Sequence, residues 1–67
     1  MKISLAAARV NAGLTQNEAA KKAEMSAKTL GAYETGSKYP KVDVLKRLCD
    51  IYGCEIDNIK ILPSNNA

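Results

Sequence analysis

The side chains able to do chemistry are few in kind. Histidine is absent, Cys49 and Cys54 are the two cysteines, and the seven carboxylates are scattered along the chain. Two thiols without an imidazole cannot complete a four-ligand zinc site, and no GxGxxG or P-loop pattern is present to cradle a nucleotide. The sequence therefore predicts no metal, no cofactor and no enzymatic centre. What does gather is positive charge. Lys21, Lys22, Lys28, Lys38 and Lys41 fall within one stretch, and ammonium groups placed together favour a polyanionic partner. The net charge is only +3, from ten basic and seven acidic residues, so placement says more than the total.

The elements that must position these lysines lie between Thr15 and Gly36, with Lys38 and Lys41 falling just after them. Thr15 followed three residues later by Glu18 is a capping box, in which each side chain satisfies a backbone N–H left open by a helix start. Ser26 repeats the device as a second cap. Two capped helices of about eight residues joined by a short turn cannot lie antiparallel and must cross steeply, as a helix-turn-helix. The first of them, Gln16 to Ala23, carries Ala19, Ala20 and Ala23 inward, which lets a neighbour approach closely. Met25 is the apolar plug of the turn. The next helix, from Ala27 to Thr35, buries Leu30 and Tyr33, and Gly31 in its middle is either tolerated by packing or wanted for close approach, the second being the favoured reading.

Around this unit the spacing predicts three more helices. Residues 2–12 form an alanine-rich helix with Ile3 or Leu5 and Ala8 inward, ended by Gly13, with Leu14 packing as a staple. Pro40 keeps the loop 37–40 from being helical. Val42, Leu45, Leu48, Cys49 and Tyr52 then line one face of an amphipathic helix that Gly53 stops. A short fifth helix runs from Ile56 to Ile61, and residues 63–67 read as a flexible tail. The expected fold is all-α, a compact five-helix bundle in one domain over residues 1–62.

Size and composition agree with this. A chain of 67 residues buries only roughly 60% of its unfolded surface. Phe and Trp are absent, so a hydrophobic fraction of 46% must build a small aliphatic core. The opening MKISLAAARV lacks the unbroken apolar run of a signal peptide, and no stretch is long enough to span a bilayer. A cytoplasmic protein with reduced cysteines is expected.

Many spaced residues resemble one known family. They are Arg9, Gly13-Leu14-Thr15-Gln16, Glu18-Ala19-Ala20, Ser26, Thr29-Leu30, Tyr33-Glu34, Gly36, Pro40, Leu45, Leu48, Gly53, Ile56-Asp57 and Ile59. The chain is similar over residues 3–62 to the Cro and phage-repressor type (XRE family) of helix-turn-helix domains, a lambda-repressor-like fold. The resemblance implies double-stranded DNA as partner, with the third helix in the major groove. Carried onto this chain, Ala27, Lys28, Gly31 and Ala32 face the bases. Thr15, Gln16, Ser26, Thr29, Thr35, Ser37, Lys38 and Tyr39 face phosphates, although Tyr39 reads equally as a loop plug. Arg9 and Glu34 match an ion pair between the first and third helices.

The same resemblance implies a homodimer on a palindromic operator and a repressor of prophage or mobile-element origin. Ile56, Ile59, Ile61 and Leu62 are more apolar residues than one short helix needs, which places some of them at the dimer contact. The alternative is a small interaction module, an antitoxin or antirepressor, acting through a protein partner. Lys21, Lys22 and Lys46 have the plainer reading of solvated surface. Three departures stand out: Glu24 where relatives have glycine, Ala19 for a common leucine, and Lys41 where a capping side chain is usual.

Overall fold

The computed structural model describes residues 2–60. A two-residue strand, β1 (Ile3–Ser4), leads into four helices: α1 (Leu5–Asn11), α2 (Gln16–Lys22), α3 (Ala27–Thr35) and α4 (Val42–Tyr52). A 3₁₀ turn over Ile56–Asn58 and a second short strand, β2 (Ile59–Lys60), complete the described chain. The strands pair in parallel, Ile3 with Ile59 and Ser4 with Lys60.

Two expectations are corrected here. There are four α-helices among the described residues and not five. The segment read as a fifth helix is a single 3₁₀ turn followed by a strand, because so short a window cannot meet the cost of helix nucleation. Its β-branched Ile59 instead packs beside Ile3 in an extended pair. Likewise the first helix starts at Leu5, since the Ser4 hydroxyl accepts from Ala7 N at 3.0 Å as the N-cap. Ile61, Leu62 and the tail 63–67 lie outside the described residues.

The helix ends have local causes. Thr15 Oγ1 accepts from Glu18 N at 3.1 Å, and Glu18 Oε1 accepts from Thr15 N at 2.9 Å. Ser26 Oγ accepts from Thr29 N at 3.0 Å. Lys41, which precedes α4, makes no side-chain cap bond.

At the other end, α1 closes with Leu14 N donating to Arg9 O and Gly13 N to Val10 O, with Gly13 in the left-handed region at φ +76°. The α2 terminus repeats this geometry through Met25 N to Ala20 O and Glu24 N to Lys21 O. There the left-handed position is held by Glu24, at φ 60°. Both are Schellman closures, and the second sets the turn between α2 and α3.

The core comprises Leu5, Ala8, Ala19, Ala20, Ala23, Leu30, Leu45, Leu48, Cys49, Tyr52 and Ile59. Ala19 and Ala23 are fully buried, so α2 presents only methyl groups to its neighbours and α3 lies close against it. Leu30 is the large side chain that α3 contributes, while Tyr33 packs half-buried against the cluster. Val42, expected on the inner face of α4, is 75% exposed. It occupies the first turn, beyond the reach of the core. Arg47 bridges two elements, its Nη1 donating to Ala23 O at 3.2 Å where α2 ends, a favourable place for a cation.

Candidate nucleic-acid interface

The α2–turn–α3 unit carries most of the polar residues singled out above. At its centre lies a buried carboxylate. The Glu34 side chain is 5% exposed, and that of Arg9 is 15% exposed. Arg9 Nε donates to Glu34 Oε2 at 2.8 Å, and Nη2 reaches Oε1 at 3.4 Å. The third arm, Nη1, donates to Leu14 O at 2.9 Å, just ahead of the Thr15 cap. A single guanidinium thus ties α1 to the start of α2 and to the last turn of α3, in the fork geometry that suits a carboxylate. The fourth bond comes from Gln16, whose Nε2 donates to Glu34 Oε1 at 2.9 Å.

Along α3, Lys28 is exposed in the first turn, next to the Ser26 cap. Ala27 is half-buried and packs against the core, and Ala32 is half-buried as well. Gly31 lies under the Gln16 carboxamide: a Cβ placed there would sit 3.7 Å from Nε2 and 3.9 Å from Oε1. Of the four residues expected to face bases, Lys28 alone brings a hydrogen-bonding side chain to solvent.

The hydroxyls expected at phosphates already serve the fold. Thr15 and Ser26 are caps. Ser26 Oγ also donates to Thr29 Oγ1 at 2.8 Å. Thr35 Oγ1 donates to Ala32 O at 3.3 Å and lies 3.1 Å from Ser37 Oγ. A hydroxyl has one hydrogen, so those of Thr15 and Thr29, which act as acceptors in these bonds, keep a donor for a phosphate oxygen. Lys38 is exposed, and its backbone N–H donates to Ala32 O at 3.2 Å. That bond holds the loop against the last turns of α3. Tyr39 is 55% exposed in the same loop.

The family named Helix-turn-helix domain matches residues 3–59. The chain belongs to that family. It is a helix-turn-helix DNA-binding domain, its two-helix unit being α2 and α3. Comparison with curated proteins and with solved structures gave no match. Among the described residues no helix is long and apolar enough to cross a membrane.

Away from this unit, an open groove of ≈ 270 Å³ runs between the end of α4 and the 3₁₀ turn, lined by Lys46, Cys49, Asp50, Cys54, Glu55 and Ile56 among others. The two thiols are free. They meet because Cys54 N donates to Cys49 O at 3.0 Å as α4 closes. Burial, and then the Cys54 side chain, push the Cys49 thiol up to about 12, which leaves it protonated and unreactive near neutrality. The expected dimer residues divide. Ile56 is half-buried against the core, and Ile59 is 5% exposed, its side chain taken up by the monomer's own core.

Sequence reasoning did not foresee that Gln16 bonds Glu34 or that Arg9 grips Leu14 O. Gln16 and Glu34 lie 18 positions apart. Arg9 and Leu14 are only five apart, but a side chain reaching past its own helix end to the next loop carbonyl has no sequence pattern that announces it.

Proposed function

We propose that this helix-turn-helix domain is a sequence-specific transcriptional regulator that inserts α3 into the major groove of double-stranded DNA. The observation that supports it best is the exposed Lys28 at the capped start of α3, beside the Schellman turn that sets α3 across α2. A lysine there donates to guanine O6 and N7. Ala27 and Ala32 offer methyl groups to thymine methyls. Thr15, Gln16, Thr29 and Lys38 hold the phosphates, with Ser26, Thr35, Ser37 and Tyr39 beside them. The binding energy then comes largely from phosphates, and the sequence preference from few contacts.

The regulator acts as a repressor of the XRE type in the cytoplasm, as a homodimer on a palindromic site. Two α3 helices then lie about 34 Å apart on one face of the duplex. Ile56, together with Ile61 and Leu62, forms the dimer contact.

Binding-site selection from random duplex DNA tests this reading. The expected result is a two-fold symmetric motif with a guanine in each half-site. Lys28→Ala should weaken that site by about 1–3 kcal/mol and relax the preference at the guanine. Equal weakening on every sequence would refute the base contact. A protein with no DNA affinity even at low salt would instead be an interaction module of the antitoxin or antirepressor kind.

A further inference from the structure

We propose that Glu34 is a positioning residue for DNA, acting through Gln16: the buried carboxylate takes one hydrogen of the Gln16 carboxamide and so presents the other to the phosphate backbone. This rests on the DNA-binding reading above.

The chemistry follows from donor and acceptor counting. A carboxylate only accepts, so the Gln16 group held 2.9 Å from Glu34 Oε1 is the NH₂ and not the carbonyl. One N–H is then engaged and one remains. A phosphate oxygen also only accepts, so an amide turned the other way round would oppose it with a carbonyl. Glu34 itself is fixed, because Arg9 holds its other oxygen at 2.8 Å and is in turn anchored on Leu14 O. The chain Leu14–Arg9–Glu34–Gln16 therefore pins an otherwise exposed, rotamer-rich side chain at the start of α2.

Gly31 completes the arrangement. The carboxamide lies across it, with both Nε2 and Oε1 within 4 Å of where a Cβ would stand. A longer side chain at residue 31 would occupy the path from Gln16 to Glu34. Gly31 thus admits the amide, a role separate from facing a base, and Ala27 brings no polar group to compete for it. A side chain held in its binding conformation loses less entropy on contact than a free one.

Plain electrostatics makes the opposite forecast. A carboxylate beside DNA repels phosphates, so neutralising it should strengthen binding. Positioning requires that neutralising it weaken binding, and only while Gln16 is present. The test measures affinity for a random-sequence duplex at low salt for wild type, Gln16→Ala, Glu34→Gln and the double variant. It is read together with the side-chain amide signals of the 15N-labelled free protein.

In the wild type the Gln16 amide pair should be resolved from the mobile amides, and Glu34→Gln should return it to them. Each single variant should bind about tenfold more weakly, the worth of one hydrogen bond to a charged group. The double variant should be no weaker than the weaker single. Tighter binding by Glu34→Gln, or losses that multiply in the double variant, would overturn the proposal. So would a mobile Gln16 amide in the wild type, which decides the matter even if Glu34→Gln does not fold. Should the wild type bind no duplex at all, the DNA reading fails and takes the phosphate role with it. That outcome is distinct from a wild type that binds while the losses multiply.

Discussion

Replacing Arg9 with alanine strips the Glu34 carboxylate of its charged partner while leaving it in place. The side chain of Glu34 is 5% exposed, so little water can enter to compensate. Breaking a buried pair by removing one member costs about 3–5 kcal/mol. Here the low end applies, because Gln16 still donates at 2.9 Å and Arg9 is 15% exposed. The lost bond to Leu14 O adds about 1 kcal/mol. A loss of about 3–4 kcal/mol is therefore expected, against a total stability of about 3–10 kcal/mol for a chain of this length.

The variant should sit close to its unfolding transition, with Tm lowered by at least about 12 °C. Urea titration read at constant m-value gives the number directly. Arg9→Met combined with Glu34→Leu should recover most of the loss, since a buried pair exchanged for apolar groups of similar volume is often neutral. A loss below about 1 kcal/mol for Arg9→Ala would place the pair with screened surface bridges and refute the reasoning from burial.

Further outcomes follow from single features. Lys41 precedes α4 without capping it, so Lys41→Asp should stabilise by about 1 kcal/mol and raise Tm by about 4–8 °C; a scanning calorimetry trace unmoved by the change would contradict this. Glu24 takes the left-handed place that Gly13 and Gly53 hold at two other helix ends. Relief of that conformation, about 1–2 kcal/mol, outweighs the extra freedom glycine gives the unfolded chain, so Glu24→Gly should gain about 0.5–1 kcal/mol in a denaturant titration.

Burial pushes both Cys49 and Tyr52 up to about 12, from ordinary values of 9.0 and 10.0. The unfolded chain therefore sheds these protons first. Their contribution is fully present below pH 9 and is lost as pH rises towards 12, by at most about 1.4 kcal/mol per unit for each group. The Tyr52 hydroxyl is buried without a hydrogen-bond partner among the described residues, so Tyr52→Phe should fold and flatten the alkaline slope between pH 10 and 12. An unchanged slope would remove burial as its cause. Glu18 runs the other way. Its bonds to Thr15 lower its pKa, so the capping box is intact above the ordinary carboxylate range and loosens as pH falls below it.

Much of the architecture was legible residue by residue. The Thr15–Glu18 box, the Ser26 cap, the uncapped Lys41 and the stops at Gly13, Gly36 and Gly53 all depend on groups within a few positions of one another. The inner alanines of α2 and the buried Leu45, Leu48, Cys49 and Tyr52 of α4 followed from helical spacing. Periodicity misplaced Val42, because a residue in the first turn can share the phase of the core face and still project past the end of the core. It also made a helix of the segment after Gly53, where three residues of 3₁₀ turn and a strand now stand.

The interface divides in the same way. Lys28 could be placed at an exposed helix start from the Ser26 cap alone, since cap and helix face are local properties. The Gln16–Glu34 bond could not, and the Arg9–Glu34 ion pair was legible through the family resemblance alone, not from any local pattern. Gln16 and Glu34 are 18 positions apart, and Arg9 and Glu34 are 25 apart. Gly31 read as a site of close approach, yet what approaches it is a side chain from another helix. The pairing of Ile3 with Ile59 closes nearly the whole described chain on itself. Hydrogen bonds across three or four residues are dictated by the order of the residues, and so are the helix ends. Contacts between distant segments exist only once packing has chosen which helices meet, and that choice set the buried ion pair, the amide held across Gly31 and the short parallel strands.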